Sequence, residues 1–231
     1  LHVGITVIAA IVIIFSVIQF TLWRYVSKVD EEHVCKNVFI GKTDVSGMTK
    51  EEAVKAVNNT LGDYRNKQLV LKIKDQGADV SIEEMGAEVE NIDKLAEKAV
   101  GYGKNGSIWS RYQKIHNLDK KKYVIDESFK VDEAKLRELI QERAVPLEQK
   151  AVNASASYNG SGFDLTDEAE GYTVDVDKSV KKIKNFMNKK WNYEDAEVEL
   201  KLDTEEPTIK KADLESLQDE LGSYTTNAGW G

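Results

Sequence analysis

The chain opens on an apolar run. From Val3 to Trp23 it is interrupted only by Gly4, Thr6, Ser16, Gln19 and Thr21, and by no charge. About 20 such residues, each rising about 1.5 Å, span a hydrocarbon core of about 30 Å, so residues 3–23 are expected to cross a membrane. Trp23 and Tyr25 then stand where an aromatic interfacial belt forms. A cleaved signal peptide has a shorter apolar core that ends in small residues. This run ends in Leu22-Trp23-Arg24-Tyr25, and is read as an uncleaved signal anchor. Arg24 and Lys28, just past it, favour the cytoplasmic side and count against export of the C-terminal part. The first residue is Leu1 rather than methionine, so the natural N-terminus is expected upstream.

Beyond residue 36 short strand and helix patterns alternate. Val38–Ile40 reads as a strand. Thr49 has Glu52 three residues on, the spacing of a reciprocal cap, and Ala53, Val54, Val57 and Leu61 give the ensuing helix one apolar face. Leu69, Leu71 and Ile73 alternate with Val70, Lys72 and Lys74. After a turn at Asp75-Gln76-Gly77 the alternation resumes with Ala78, Val80 and Ile82, which predicts a hairpin. Asn91 is the expected N-cap of a helix carrying Ile92, Leu95, Ala96, Ala99 and Val100 inward. Tyr123–Ile125 then starts a similar order. A helix from about Glu133 faces Leu136, Leu139 and Ile140 inward, and a strand pair within 152–165 turns at Asn159-Gly160. Val180, Ile183 and Met187 mark a further helix. Val198, Leu200 and Leu202 alternate as one strand that Pro207 ends, and Leu214, Leu217 and Leu221 mark a last helix.

One stretch occurs twice. Residues 163–183 and 80–99 both read as strand end, short turn, glycine, extended residues and amphipathic helix. Gly171, Val174, Asp175 and Val180 fall opposite Gly86, Val89, Glu90 and Leu95. A glycine at that point suits a left-handed backbone. The duplication predicts an α+β chain of two small modules, built of antiparallel strands and amphipathic helices, behind one transmembrane helix. The expected boundaries are 1–26 for the anchor, 27–36 for a linker, 37–118 and 119–207 for the modules, and 208–231 for a helix leading into a further domain. Nothing near Trp230 offers it an apolar partner, so a truncation or a domain boundary is expected there.

A formal charge of −8 changes the picture of partners, since duplex nucleic acid demands a basic footprint. The single cysteine, Cys35, excludes a disulfide framework. Cys35 has His33 two residues away but no orienting acid, so it is read as an incidental or lipid-modified thiol. His2, His33 and His116 form no ligand pair, and neither a metal nor a cofactor is expected. Gly101-Tyr102-Gly103-Lys104-Asn105-Gly106 matches a dinucleotide pattern but comes after a helix rather than a strand, and reads as a glycine-rich turn. Ser179 and Lys182 have the spacing of an acyl-enzyme pair without its partner motifs, and read as the solvated first turn of a helix. Trp109, Arg111 and Tyr112 could bind sugar by stacking and hydrogen bonding, or pack on the core. Tyr158 and Tyr172 occupy turns in the second module and complete the contact candidates.

Three stretches together resemble one family. They are Val45-Ser46-Gly47-Met48-Thr49-Lys50-Glu51-Glu52-Ala53, the turn from Ala99 to Gly106 with Arg111, and Gly171-Tyr172-Thr173-Val174-Asp175. They are similar to the YoaR-like peptidoglycan-binding domain, which commonly occurs in duplicate behind one membrane anchor. Lys104 stands where that family often has arginine. Leu221-Gly222-Ser223-Tyr224-Thr225-Thr226 resembles the lead-in to a VanW-type domain. The resemblance implies a surface protein of a Gram-positive bacterium, single-pass in the cell membrane, whose outer part binds peptidoglycan without catalysis. The alternatives are a stalk that binds nothing, or the N-terminal region of an L,D-transpeptidase-like enzyme whose chemistry lies beyond Gly231.

Overall fold

The computed structural model describes residues 2–218, with side chains from 4 to 215. In chain order its elements begin with α1 (His2–Val26), β1 (Val38–Ile40), β2 (Thr43–Asp44), α2 (Lys50–Asp63), β3 (Gln68–Ile73), β4 (Gln76–Ser81), β5 (Glu88–Val89), α3 (Ile92–Gly101) and α4 (Ile108–Asn117). They continue with β6 (Tyr123–Ile125), β7 (Phe129–Lys130), α5 (Glu133–Leu139), β8 (Ser155–Tyr158), β9 (Phe163–Thr166), β10 (Gly171–Val174), α6 (Val176–Lys189), β11 (Ala196–Glu199), β12 (Leu202–Glu205) and α7 (Lys211–Gln218). The chain is α+β. Two compact units are assembled from segments that alternate along the sequence. The expected Leu221 position, the 221–226 segment, Trp230 and the side chain of Leu217 lie outside the described residues.

The first unit comprises Leu1–Lys67, Gly86–Val131 and Met187–Glu194. Its α1 is the one described helix long and apolar enough to cross a membrane. Ile8 and Ile13 are each 63 % exposed, whereas Leu22 and Val26, one turn apart, are buried. β1 lies between β2, which it pairs antiparallel, and β6, which it pairs parallel. The parallel pair departs from the antiparallel strands expected, because β6 arrives through α2, α3 and α4, a connection long enough for a crossover. The Thr49 cap forms as its spacing predicts: the Glu52 N–H donates to the Thr49 hydroxyl at 3.3 Å, and the Thr49 N–H donates to the Glu52 carboxylate at 2.9 Å. Ala53, Val57 and Leu61 are buried where α2 packs on α3 through Ala96 and Ala99. Asn91 stands at the N-cap of α3, but with φ 53° and without a side-chain cap.

The second unit comprises Gln68–Met85, Asp132–Phe186 and Asp195–Gly231. Leu69, Leu71, Ile73 and Val80 of the β3–β4 hairpin have no exposed surface. Ile73 pairs with Gln76, so the turn is Lys74-Asp75, one residue earlier than expected, and Gly77 belongs to β4. β11 joins β3 in parallel, with Val198 opposite Leu71. The alternation from 198 to 202 is two strands, not one. The Leu200 N–H still bonds to Lys72, but the Lys201 N–H goes to the Ser179 hydroxyl and its carbonyl accepts from Asp175. The chain therefore leaves one sheet and enters another, where Leu202 pairs with Val174. The same bonds correct the reading of Ser179, which is fully buried rather than solvated.

The two repeat glycines serve different ends. Gly86 adopts φ +60°, as expected of a left-handed position. Gly171 does not. A Cβ there would meet Ala151 N at 2.2 Å and the Gln149 carbonyl at 2.6 Å, so it is glycine because another stretch of backbone lies against it.

Candidate functional site

On a helix, residues three and four apart are neighbours. Lys94, Glu97, Lys98 and Gly101 thus form one stripe along α3, and that stripe is one wall of a hollow of about 510 Å³ in the first unit. Tyr102 at the end of α3 and Tyr123 of β6 are also in the lining. Their rings stack with centroids 3.8 Å apart and planes 15° apart. Lys114 of α4 closes the other side, its Nζ 6.0 Å from the Tyr102 ring centroid. Burial, with Tyr123 and Cys35 nearby, raises the pKa of Tyr102, so its phenol stays protonated. Three ammonium groups and one carboxylate around a stacked aromatic pair make a place for a ligand with an apolar or sugar face and carboxylate groups.

The turn after α3 sets these parts in place. Lys104 is buried and turns inward, donating to the carbonyls of Glu31 at 3.0 Å and His33 at 2.6 Å. It fastens the segment after α1 and offers nothing to a ligand. Cys35 is buried beneath the same turn, its thiol donating to the Tyr102 carbonyl at 3.4 Å. Burial pushes that thiol up, away from the thiolate a nucleophile requires. Among the described residues no group of three His, Cys, Asp or Glu could hold a metal ion.

The residues singled out from sequence are dispersed. Trp109 and Tyr112 lie on α4 with rings stacked at 5.9 Å, and Trp109 is 54 % exposed. The Arg111 guanidinium goes elsewhere, to the Gly103 carbonyl and to Glu31 at 3.1 Å. Tyr158 is exposed on the β8–β9 hairpin, its ring edge-on to Phe163 and its hydroxyl donating to the Gly160 carbonyl. Tyr172 is buried in β10 and lines two hollows of the second unit, of about 330 and about 550 Å³, with Lys74 Nζ 5.9 Å from its ring centroid. Lys94, Lys98, Lys114, Tyr102 and Tyr123 are not among the ligand contacts expected from the sequence. The i, i+4, i+7 placement of Lys94, Lys98 and Gly101 on α3 was the available signal; the Tyr102–Tyr123 stack, between residues 21 apart, left none.

A family model described as "Putative peptidoglycan binding domain" matches residues 78–196, just over half of the chain. Every residue of the Tyr102–Tyr123 hollow falls within the matched stretch. Neither curated proteins nor solved structures match the chain.

Proposed function

Because the chain belongs to this family of peptidoglycan-binding domains, we propose that it binds peptidoglycan without catalysis, through the Tyr102–Tyr123 hollow, while α1 anchors it in the membrane as a single-pass protein. The observation that carries the reading is that this hollow is lined wholly from the matched stretch. Peptidoglycan offers N-acetylated sugars, whose faces stack on aromatic rings, and short peptides with free carboxylates, which ammonium groups bind. Lys94, Lys98 and Lys114 supply the second kind of contact and the tyrosine pair the first. The Tyr172 hollows are the corresponding candidate in the second unit. The extents 37–118 and 119–207 stay part of the proposal as the two copies of the repeat, followed by a VanW-type continuation.

Lysine acetylation of the full chain in detergent tests the site. Purified wall sacculi are expected to protect Lys94, Lys98 and Lys114 while exposed lysines such as Lys55 react as before. Equal labelling of all lysines with and without sacculi contradicts the site. The non-catalytic reading has its own check: wall fragments incubated with the chain keep an unchanged peptide profile. New cross-linked or cleaved species would support the transpeptidase-like alternative.

A further inference from the structure

α4 packs against the end of α1. Tyr25 holds them together, its ring edge-on to Tyr112 at 5.1 Å and its hydroxyl donating to Asp119 at 3.4 Å. Along α4, Trp109, Tyr112 and His116 form one stripe, with Trp109 to Tyr112 at 5.9 Å and Tyr112 to His116 at 5.5 Å. The middle ring of this stripe, Tyr112, is the one against Tyr25, two residues past Trp23, where α1 leaves its apolar run and which is itself 54 % exposed. Amphipathic rings with one apolar face and one polar tip collect at that depth of a bilayer.

Charge supports the same partner. The chain is acidic overall, yet Arg24 and Lys28 come directly after the apolar run, and exposed Lys120 and Lys121 come directly after Asp119. None of these four has an ion-pair partner among the described residues. The nearby carboxylates are engaged: Asp119 by Lys36 and His116, Glu31 by Arg111, and Asp30 by His33. Only Glu32 in that acidic run has no ion pair described. A basic group next to a transmembrane helix attracts anionic headgroups.

We infer that α4 is an interfacial helix: its Trp109–Tyr112 stripe lies in the headgroup region of the membrane that α1 spans, and Lys120 and Lys121 bind anionic phospholipid headgroups. This rests on α1 being inserted, and leaves the wall-binding hollow untouched. It also gives α4 a second task, fixing the direction in which the first unit leaves the bilayer.

The full chain is reconstituted into phosphatidylglycerol or phosphatidylcholine vesicles whose acyl chains carry bromine near the headgroup end. Resistance to alkaline extraction confirms insertion of α1 separately. Emission of the parent minus that of Trp109→Phe isolates Trp109. In phosphatidylglycerol its emission is expected to be blue-shifted and mostly quenched. Quenching is expected to weaken in phosphatidylcholine and in the Lys120→Glu/Lys121→Glu variant. Unquenched Trp109 in extraction-resistant chain overturns the interfacial placement. Equal quenching in both lipids and in the lysine variant overturns the assignment to anionic headgroups. Unquenched Trp109 that responds to added sacculi would return α4 to the wall-contact candidates.

Discussion

Glu127 sits against Tyr193, whose hydroxyl donates to its Oε1 at 2.5 Å. Burial raises the pKa of Glu127, although Tyr193 and Lys42 pull it down. A carboxyl whose folded pKa exceeds its unfolded one contributes stability at low pH and loses it as pH rises through the folded value. At neutral pH its charge is therefore a burden. Glu127→Gln keeps an acceptor for Tyr193 and is expected to melt no lower than the parent at pH 7, with the gap closing or reversing toward pH 4. A lower melting temperature at pH 7 contradicts this. Glu84 behaves oppositely. Arg143, with the Ser81 backbone and hydroxyl, lowers its pKa to about 2, so its contribution is complete above the ordinary carboxylate range and lost as pH falls toward about 2. Glu84→Gln is expected to flatten the acid limb of the stability curve, and an unchanged limb would exclude the pair as its source. Neither partnership was legible in sequence. Glu127 meets Tyr193 across 66 positions, and Glu84 meets Arg143 across 59.

At the scale of elements, local chemistry was legible and long-range exchange was not. The capping box at Thr49, the strand at Val38–Ile40, the hairpin turn expected at Asn159-Gly160 and the alternation in β3 all arise from residues a few positions apart, and all form, the turn as a four-residue loop over 159–162. The break between β11 and β12 depends on Ser179 and Asp175, more than 20 residues away, and nothing in the 198–202 alternation shows it. The two glycine roles make a paired prediction. Gly171→Ala must displace backbone and is expected to destabilise by roughly 1–3 kcal/mol. Gly62→Ala, in α2 with nothing within 4 Å of the added carbon, is expected to stabilise by about 0.5–1 kcal/mol. Thermal melts of both decide it, and a mild Gly171→Ala would mean that the Lys150–Ala151 backbone lies further away. Leu71→Asp places an unpaired carboxylate in a site without exposed surface, at a cost of several kcal/mol against a total of about 5–15, and is expected to unfold the second unit.

For the whole molecule, the pattern of hydrophobic positions foretold the mixed fold and the long apolar helix. The candidate site was legible only in part, because stacking and arrays of lysines arise from tertiary proximity that periodicity does not encode. In intact protoplasts, external protease is expected to cut exposed sites after Lys28, and complete protection would show that Arg24 and Lys28 set the opposite orientation. Wall binding is proposed to reside in the Tyr102–Tyr123 hollow. Cosedimentation of the full chain, in detergent, with purified sacculi stripped of teichoic acid decides it. Each charge-assisted contact is worth about 1.5–3 kcal/mol, so the parent is expected to pellet while Lys98→Glu/Lys114→Glu, melting at the parent's temperature, stays in the supernatant. A folded double variant that pellets as well as the parent contradicts the site, and a parent that never pellets leaves the stalk.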